Sequence, residues 1–505
     1  MMILIDILCW ISLAYTLVGS IPAIHNTGER FALAVTLALG LKSLFLFVMI
    51  ACGIQPGPIL QLVFSAVVFF TAGWIYRRKC AETGENMSAA RPSTRPDSIV
   101  FIILGILLIF SLANALFFPI TETDALWYEI RGMRLFHEIR FDLDTFNQEY
   151  PPFVPLLFAY QVAFDITQLK AVFPVFYVCL LVVLYCRVRA GGGSEKLAAV
   201  LTLVLGTTPY LWWHSVLPFL NLISGFYFAL GAIYWFFLIN EVLDPKADHA
   251  PAGLARLAGL CGTLFGLAAW TRLEFLLYGG LAMVAFAVAL SQAEGMAARL
   301  KSRLFRIFSI AVLVLPTAWF VCVHYFQIGG DSRIRAIELV CGVLWLSVLA
   351  LPLLISRVRL GKLAILSSVA ALAALFLLAL VIGGPRGIAT VNVLFLGAYR
   401  TLFFNGYFAF TVFVALLIFM EPLRNWSLAT KFLGGFLLAY LCVHFALYTY
   451  MPPKWDALAP YIDATFIHPG KAANSSGTRE MLAFYPILIF FVSRLPRVRA
   501  SFGNE

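Results

Sequence analysis

Charge is what this chain has least of. Only 12% of its 505 residues are Asp, Glu, Lys or Arg, where a soluble domain carries about a quarter, so an ordinary soluble globular protein is excluded. The ten-residue alternation of lipid-facing β-strands is missing, which excludes a membrane barrel, and a hydrophobic content of 62% excludes disorder. Cys-x-x-Cys pairs and His/Cys clusters are missing too. Of the nine cysteines, eight lie in apolar runs and Cys80 in a basic segment, so neither an outer disulfide nor a structural zinc or iron–sulfur site is expected. The first apolar run has no basic stretch before it and no convincing cleavage site after it, and reads as a retained helix.

What the chain has in abundance is long apolar runs. Stretches such as FIILGILLIFSLANALFF and LAILSSVAALAALFLLALVI are continuously apolar, as helices facing lipid must be, because a bilayer leaves backbone polar groups no partner outside a helix or closed barrel. The fold class is therefore all-α and polytopic. The formal charge of +10 reads as the positive-inside bias, not as a nucleic-acid surface. Its clusters fall between runs, at Arg77 to Lys79, at Arg187 and Arg189, at Arg299 to Arg306, at Arg357 to Lys362 and at Arg494 to Arg499.

Keeping every cluster inside predicts about fifteen crossings, near 2–23, 32–54, 57–76, 99–118, 171–189, 196–213, 217–240, 254–270, 275–292, 306–327, 336–356, 363–383, 407–421, 431–450 and 480–494. The N-terminus is then outside and the C-terminus inside. The run 151–166 begins with two prolines, is short for a span, and is expected as a re-entrant or in-plane segment on the outer face. Residues 1–79 form a three-helix N-terminal segment, 80–98 a Ser-, Pro- and Arg-rich cytoplasmic linker, and 99–505 a core with outer loops over 119–170 and 451–479.

Polar chemistry concentrates in those two loops. The first holds Glu122, Asp124, Glu129, Glu138, Asp142, Asp144 and Glu149 beside Arg131, Arg134 and Arg140. A helix capped by Thr121 or Thr123 and running to about Ile139 is expected there. On it Asp124, Tyr128, Arg131 and Leu135 share one face, and Leu126, Ile130 and Met133 another. Such a helix would bury one stripe in the membrane interface and present a carboxylate, a phenol and a guanidinium together. The Glu122-x-Asp124 pair sits where the preceding helix leaves the membrane, a place where unpartnered acids are costly. The second loop carries Lys454, Asp456, Asp463, Lys471, Arg479 and Glu480 among Trp455, Tyr461, Phe466 and His468, a mixture suited to a phosphate-bearing lipid or a sugar, and equally to an interfacial aromatic belt. Arg272 with Glu274 adds a third polar point, either a lipid-phosphate contact or a structural pair.

The acid pair followed by Asp124-Ala-Leu-Trp-Tyr128 and the Tyr150-Pro151-Pro152 turn resembles the GT-C membrane glycosyltransferases. The likeness is greatest to the bacterial transferases related to dolichyl-phosphate-mannose protein mannosyltransferases and the lipid A aminoarabinose transferase, and covers roughly residues 99–290. GTTPYLWWHSVLPFLN, GLAAWTRLEFLLY and TREMLAFYPIL resemble further family stretches, with Asn221 where many relatives carry an acid and Glu129 where many carry histidine.

The resemblance implies an inverting glycosyltransferase that moves a sugar from a polyprenyl-phosphate donor to a glycolipid, polysaccharide or protein acceptor, with no nucleic-acid partner. It would sit in the inner (cytoplasmic) membrane of a bacterium, its site facing the periplasm or exterior. Asp124 would be the base, with Glu122 orienting it, raising its pKa or helping to hold a divalent cation, the one cofactor left open. Arg272, Arg479, Lys454 and Arg131 would face the phosphate, with Tyr128, Glu274 and Asn221 around the substrate. The competing expectation is a transporter or flippase of lipid-linked saccharides, which would place functional charges inside the spans.

Overall fold

A computed structural model of the chain describes residues 1–83, 98–141, 150–244, 251–326, 332–357, 417, 420–450 and 476–502. Every regular element among them is helical. In chain order they are α1 (Met2–Val18), α2 (Thr27–Ala51), α3 (Pro58–Thr83), α4 (Ser98–Phe117), α5 (Thr123–Glu138), α6 (Phe153–Val162), α7 (Val172–Ala190), α8 (Glu195–Gly206) and α9 (Pro209–His214). There follow α10 (Leu220–Leu243), α11 (Pro251–Thr271), α12 (Phe275–Gln292), α13 (Ala298–Tyr325), α14 (Ser332–Arg357), α15 (Leu428–Tyr450), α16 (Ser476–Val492) and α17 (Pro496–Ser501). Nine of the described helices are long and apolar enough to cross a membrane: α2, α3, α4, α7 with its leading turn, α10, α11, α12, α13 and α14. The chain is thus a multi-pass all-α protein. The expected crossings at 363–383 and 407–421 lie outside the described residues, apart from single positions at 417 and 420–421.

Helix α10 forms the centre. It is buried along almost its whole length, packed by α11, α16, α15, α12 and α7, whereas α3, α4 and α14 turn most of their apolar side chains outward, as lipid-facing helices do. Close packing of α11 on α13 follows from Gly262-x-x-x-Gly266: a Cβ at Gly266 would come within 2.5 Å of the Ala311 carbonyl oxygen, and one at Gly262 would meet the Phe308 carbonyl and Ala311. Such small-residue spacing lets helix backbones approach closely in a membrane.

Two expectations are corrected. The crossing over 196–213 is not one helix but two, α8 and α9, because Thr208 is extended (φ −62°, ψ 112°) ahead of Pro209, and proline both lacks an N–H and disfavours helical geometry in the residue before it. The expected Thr121 or Thr123 cap on α5 is also absent: Glu122 occupies the N-cap and makes no side-chain capping bond.

The first three helices are not an appendage. Asp6 of α1 and Lys42 of α2 form a fully buried ion pair at 2.7 Å. Asp6 also accepts hydrogen bonds from Ser65 of α3 at 2.6 Å and from Tyr160 of α6 at 2.8 Å, while the Trp10 indole donates to Ser65 at 2.9 Å. A second buried pair ties α2 to α7: Arg187 contacts Glu29 at 2.5 Å and donates to the Ala23 carbonyl at 3.0 Å, and the Tyr234 hydroxyl of α10 donates to Glu29 as well. Lone buried charges cost several kcal/mol each, so these pairs fix how α1 to α3 seat on the core.

Candidate functional site

Helix α5 lies on the short, buried α6. It ends in a left-handed residue, Ile139 (φ 53°), one residue past Glu138, close to the expected end. The faces divide as the spacing predicts: Leu126, Trp127, Ile130 and Met133 are exposed, and Arg131, Gly132 and Leu135 are buried. An exposed apolar stripe on a helix too short to span suits a bilayer interface. Gly132 is where α5 touches α6, since a Cβ there would stand 2.5 Å from the Phe158 Cβ and 2.8 Å from the Pro155 carbonyl oxygen. The ten residues of α6, nearly all fully buried, are too few to span a bilayer, in keeping with the short, proline-led segment expected over 151–166.

At the other wall of the site, α11 ends at Thr271, α12 begins at Phe275, and the turn between them presents Arg272 and Glu274. Both are buried, 3% exposed. Their side chains pair at 3.1 Å, and Arg272 also donates to the amide oxygen of Asn221 in the first turn of α10. The ring of Tyr150 lies over the guanidinium, 5.4 Å from its centroid, and the same Tyr150 interacts electrostatically with Arg131 of α5, as does Tyr128. Tyr150 thus stands against Arg272 and within electrostatic range of Arg131. Burial lowers the Arg131 pKa, with the Tyr128 and Tyr150 hydroxyl groups acting in the opposite sense, and burial raises that of Glu129.

Of the expected site residues, the structure brings Asn221, Arg272 and Glu274 into one cluster and sets Arg131 and Tyr128 beside it through Tyr150. Glu122 stands apart from that cluster: Thr121 donates to it from its hydroxyl at 3.2 Å, and Lys170 feels its charge. Asp124 is in the first turn of α5 and Arg479 in the first turn of α16, but their side chains lie outside the described residues, as does Lys454 altogether. The Asn221 amide oxygen is engaged by Arg272. Among the described residues no three His, Cys, Asp or Glu side chains converge.

Lys170 is the residue that sequence reasoning missed. Only 5% exposed, it donates to Asn114 Oδ1 at 3.1 Å and to the Pro119 carbonyl at 3.2 Å, bracing the chain as it leaves α4 toward Glu122. A signal was present: a lysine directly before an expected inward crossing breaks the positive-inside pattern. Thr208, just before Pro209, donates to the Tyr485 hydroxyl of α16 at 3.1 Å. Compared with known proteins, the chain matches no family model, no curated protein and no solved structure.

Proposed function

We propose that the protein is a GT-C-type membrane glycosyltransferase that moves a sugar from a polyprenyl-phosphate donor to an acceptor hydroxyl on the outer face of a bacterial cytoplasmic membrane. In this reading it crosses about fifteen times, N-terminus out. The observation that carries the proposal is the company Arg272 keeps: a buried guanidinium held by Glu274 and Asn221 and covered by the ring of Tyr150.

The chemistry uses these groups directly. The acceptor oxygen attacks the anomeric carbon while the bond from that carbon to the phosphate oxygen breaks, inverting the centre. Asp124 takes the acceptor proton. The electron pair leaves on polyprenyl phosphate, whose growing charge Arg272 and Arg131 stabilise, with Arg479 and Lys454 joining from the second loop. Glu274 and Asn221 hold the Arg272 plane so that little reorganisation is needed as charge develops. A phosphate leaving group requires no acid, so one carboxylate base suffices, and Glu122 orients it.

The flippase reading gains one observation, the charges Asp6, Lys42, Glu29 and Arg187 inside helices. Each, however, meets an opposite charge within hydrogen-bond distance, an arrangement suited to joining helices. Mass spectrometry of lipid extracts and envelope glycans from cells lacking the protein, with and without prior treatment of spheroplasts by a membrane-impermeant glycosidase or oxidant that reaches only the outer leaflet, separates the two. A transferase leaves one sugar missing from a glycoconjugate with its polyprenyl-linked form accumulated on the outer leaflet. Accumulation on the inner leaflet overturns the proposal in favour of a flippase.

A further inference from the structure

At the end of the bundle that carries Arg187 and Arg189, a cavity of about 590 Å³ opens between the last turn of α7, the end of α10, the start of α15 and α17. Arg494 and Arg499 line it, with Asn240, Asn425, Ser427 and Thr430. Arg494 is only 6% exposed. Its guanidinium donates to the Gly191 carbonyl at 2.7 Å, the Val188 carbonyl at 3.1 Å and the Ser493 hydroxyl at 2.9 Å. Arg499 donates to the Ser493 carbonyl at 3.1 Å and also reaches Gly191.

Capping the C-terminal carbonyls of α7 accounts for one of these cations. It does not account for a second guanidinium, that of Arg499, lining the same polar cavity. Among the described residues every hydrogen-bond partner of both guanidinium groups is neutral and neither group pairs with a carboxylate. Arg499 and Arg187 both repel the Arg494 charge. Arg187 is offset by Glu29; of the acids around the cavity, Glu241 stands on the exposed rim and the buried Glu421 is engaged by Asn425 and Arg497. Two cations, two side-chain amides and two hydroxyl groups around a space of this size form a receptor for a tetrahedral oxyanion.

We propose that this cavity is a second, non-catalytic binding site for a phosphate group, supplied by the headgroup of an anionic phospholipid or by free phosphate. The site lies far along the helices from Arg272, since α10 alone carries the chain from Asn221 to Asn240, some 28 Å at about 1.5 Å per residue. Occupation would relieve the repulsion at Arg494 and hold α7, α10, α15 and α17 together.

The test follows thermal unfolding of the full-length protein in neutral detergent micelles at constant ionic strength. Phosphatidylglycerol, inorganic phosphate and a neutral diglucosyl diacylglycerol are titrated separately. The midpoint is expected to rise saturably with phosphatidylglycerol and not with the neutral glycolipid. Arg499→Gln and Asn240→Asp should each weaken the half-saturating concentration by about tenfold, the loss expected for one charge-assisted hydrogen bond or a repulsive charge at the rim. Arg303→Gln, an exposed basic control on α13, should respond as wild type. An equal rise with inorganic phosphate identifies the free anion as ligand. If neither anion shifts the midpoint, or if Asn240→Asp, an exposed position whose replacement leaves packing intact, responds as wild type, the proposal is overturned.

Discussion

The contact at Gly132 offers a measurement that connects packing to the site. Replacing it with alanine puts a Cβ 2.5 Å from the Phe158 Cβ, 2.8 Å from the Pro155 carbonyl oxygen and 3.2 Å from the Ala159 nitrogen. Non-bonded carbons rest at about 3.5–4.0 Å, so α5 must retreat from α6 by about 1 Å. Overpacking of this kind costs about 1–3 kcal/mol, while alanine regains up to about 1 kcal/mol of helix propensity over glycine. The expected net loss is about 1–2 kcal/mol. Gly105 in α4 is the control, because nothing lies within 4 Å of a Cβ there, and Gly105→Ala should stabilise by about 0.5–1 kcal/mol. Equilibrium unfolding of the purified variants in mixed micelles reads both. A retreat of about 1 Å by a helix that carries part of the reacting geometry also predicts a loss of activity of up to about 100-fold, out of proportion to the change in stability. If Gly132→Ala stabilises as Gly105→Ala does, the seating of α5 on α6 is wrong, and with it the position of Arg131 beside Tyr150.

Other perturbations test other joints. Lys42→Met strands the buried Asp6 carboxylate with only the Ser65 and Tyr160 hydroxyls and is expected to cost about 3–5 kcal/mol. Adding Asp6→Asn should recover most of that in the same unfolding assay, and strictly additive losses would deny the pair. Arg272→Lys keeps the charge but not the planar fork that reaches both Asn221 and Glu274, so activity should fall at least about tenfold with little change in folding, whereas Arg272→Gln leaves Glu274 without its cation and should lower both. Cys52 is exposed just past the end of α2, and a membrane-impermeant maleimide should label it from outside intact cells and fail on Cys52→Ser. Labelling of Cys52 only after lysis would reverse the expected orientation.

The apolar runs were readable because a bilayer demands about twenty apolar residues per crossing. Residues 254–270 and 275–292 were expected as helices, and α11 and α12 run over Pro251–Thr271 and Phe275–Gln292. The faces of α5 were readable for a related reason, since periodicity alone separates Leu126, Ile130 and Met133 from Arg131 and Leu135. Pairing between distant segments was not. Asp6 and Lys42 are single charges within apolar runs, but nothing local says that they meet each other and Tyr160. Arg187, Arg494 and Arg499 looked like solvated inner loops, yet Arg187 and Arg494 are buried, one on Glu29 and the other on the carbonyls ending α7. The break before Pro209 was hidden for the opposite reason: an apolar run continued through it, and hydropathy does not register a lost N–H.

The most direct test of the transferase assignment is envelope glycan mass spectrometry on cells lacking the protein and complemented by wild type or by Asp124→Asn, with membrane levels matched. Loss of one defined sugar that wild type restores and Asp124→Asn does not, while the lipid-linked donor persists, is the expected result. Full restoration by Asp124→Asn would contradict a mechanism centred on the acidic loop.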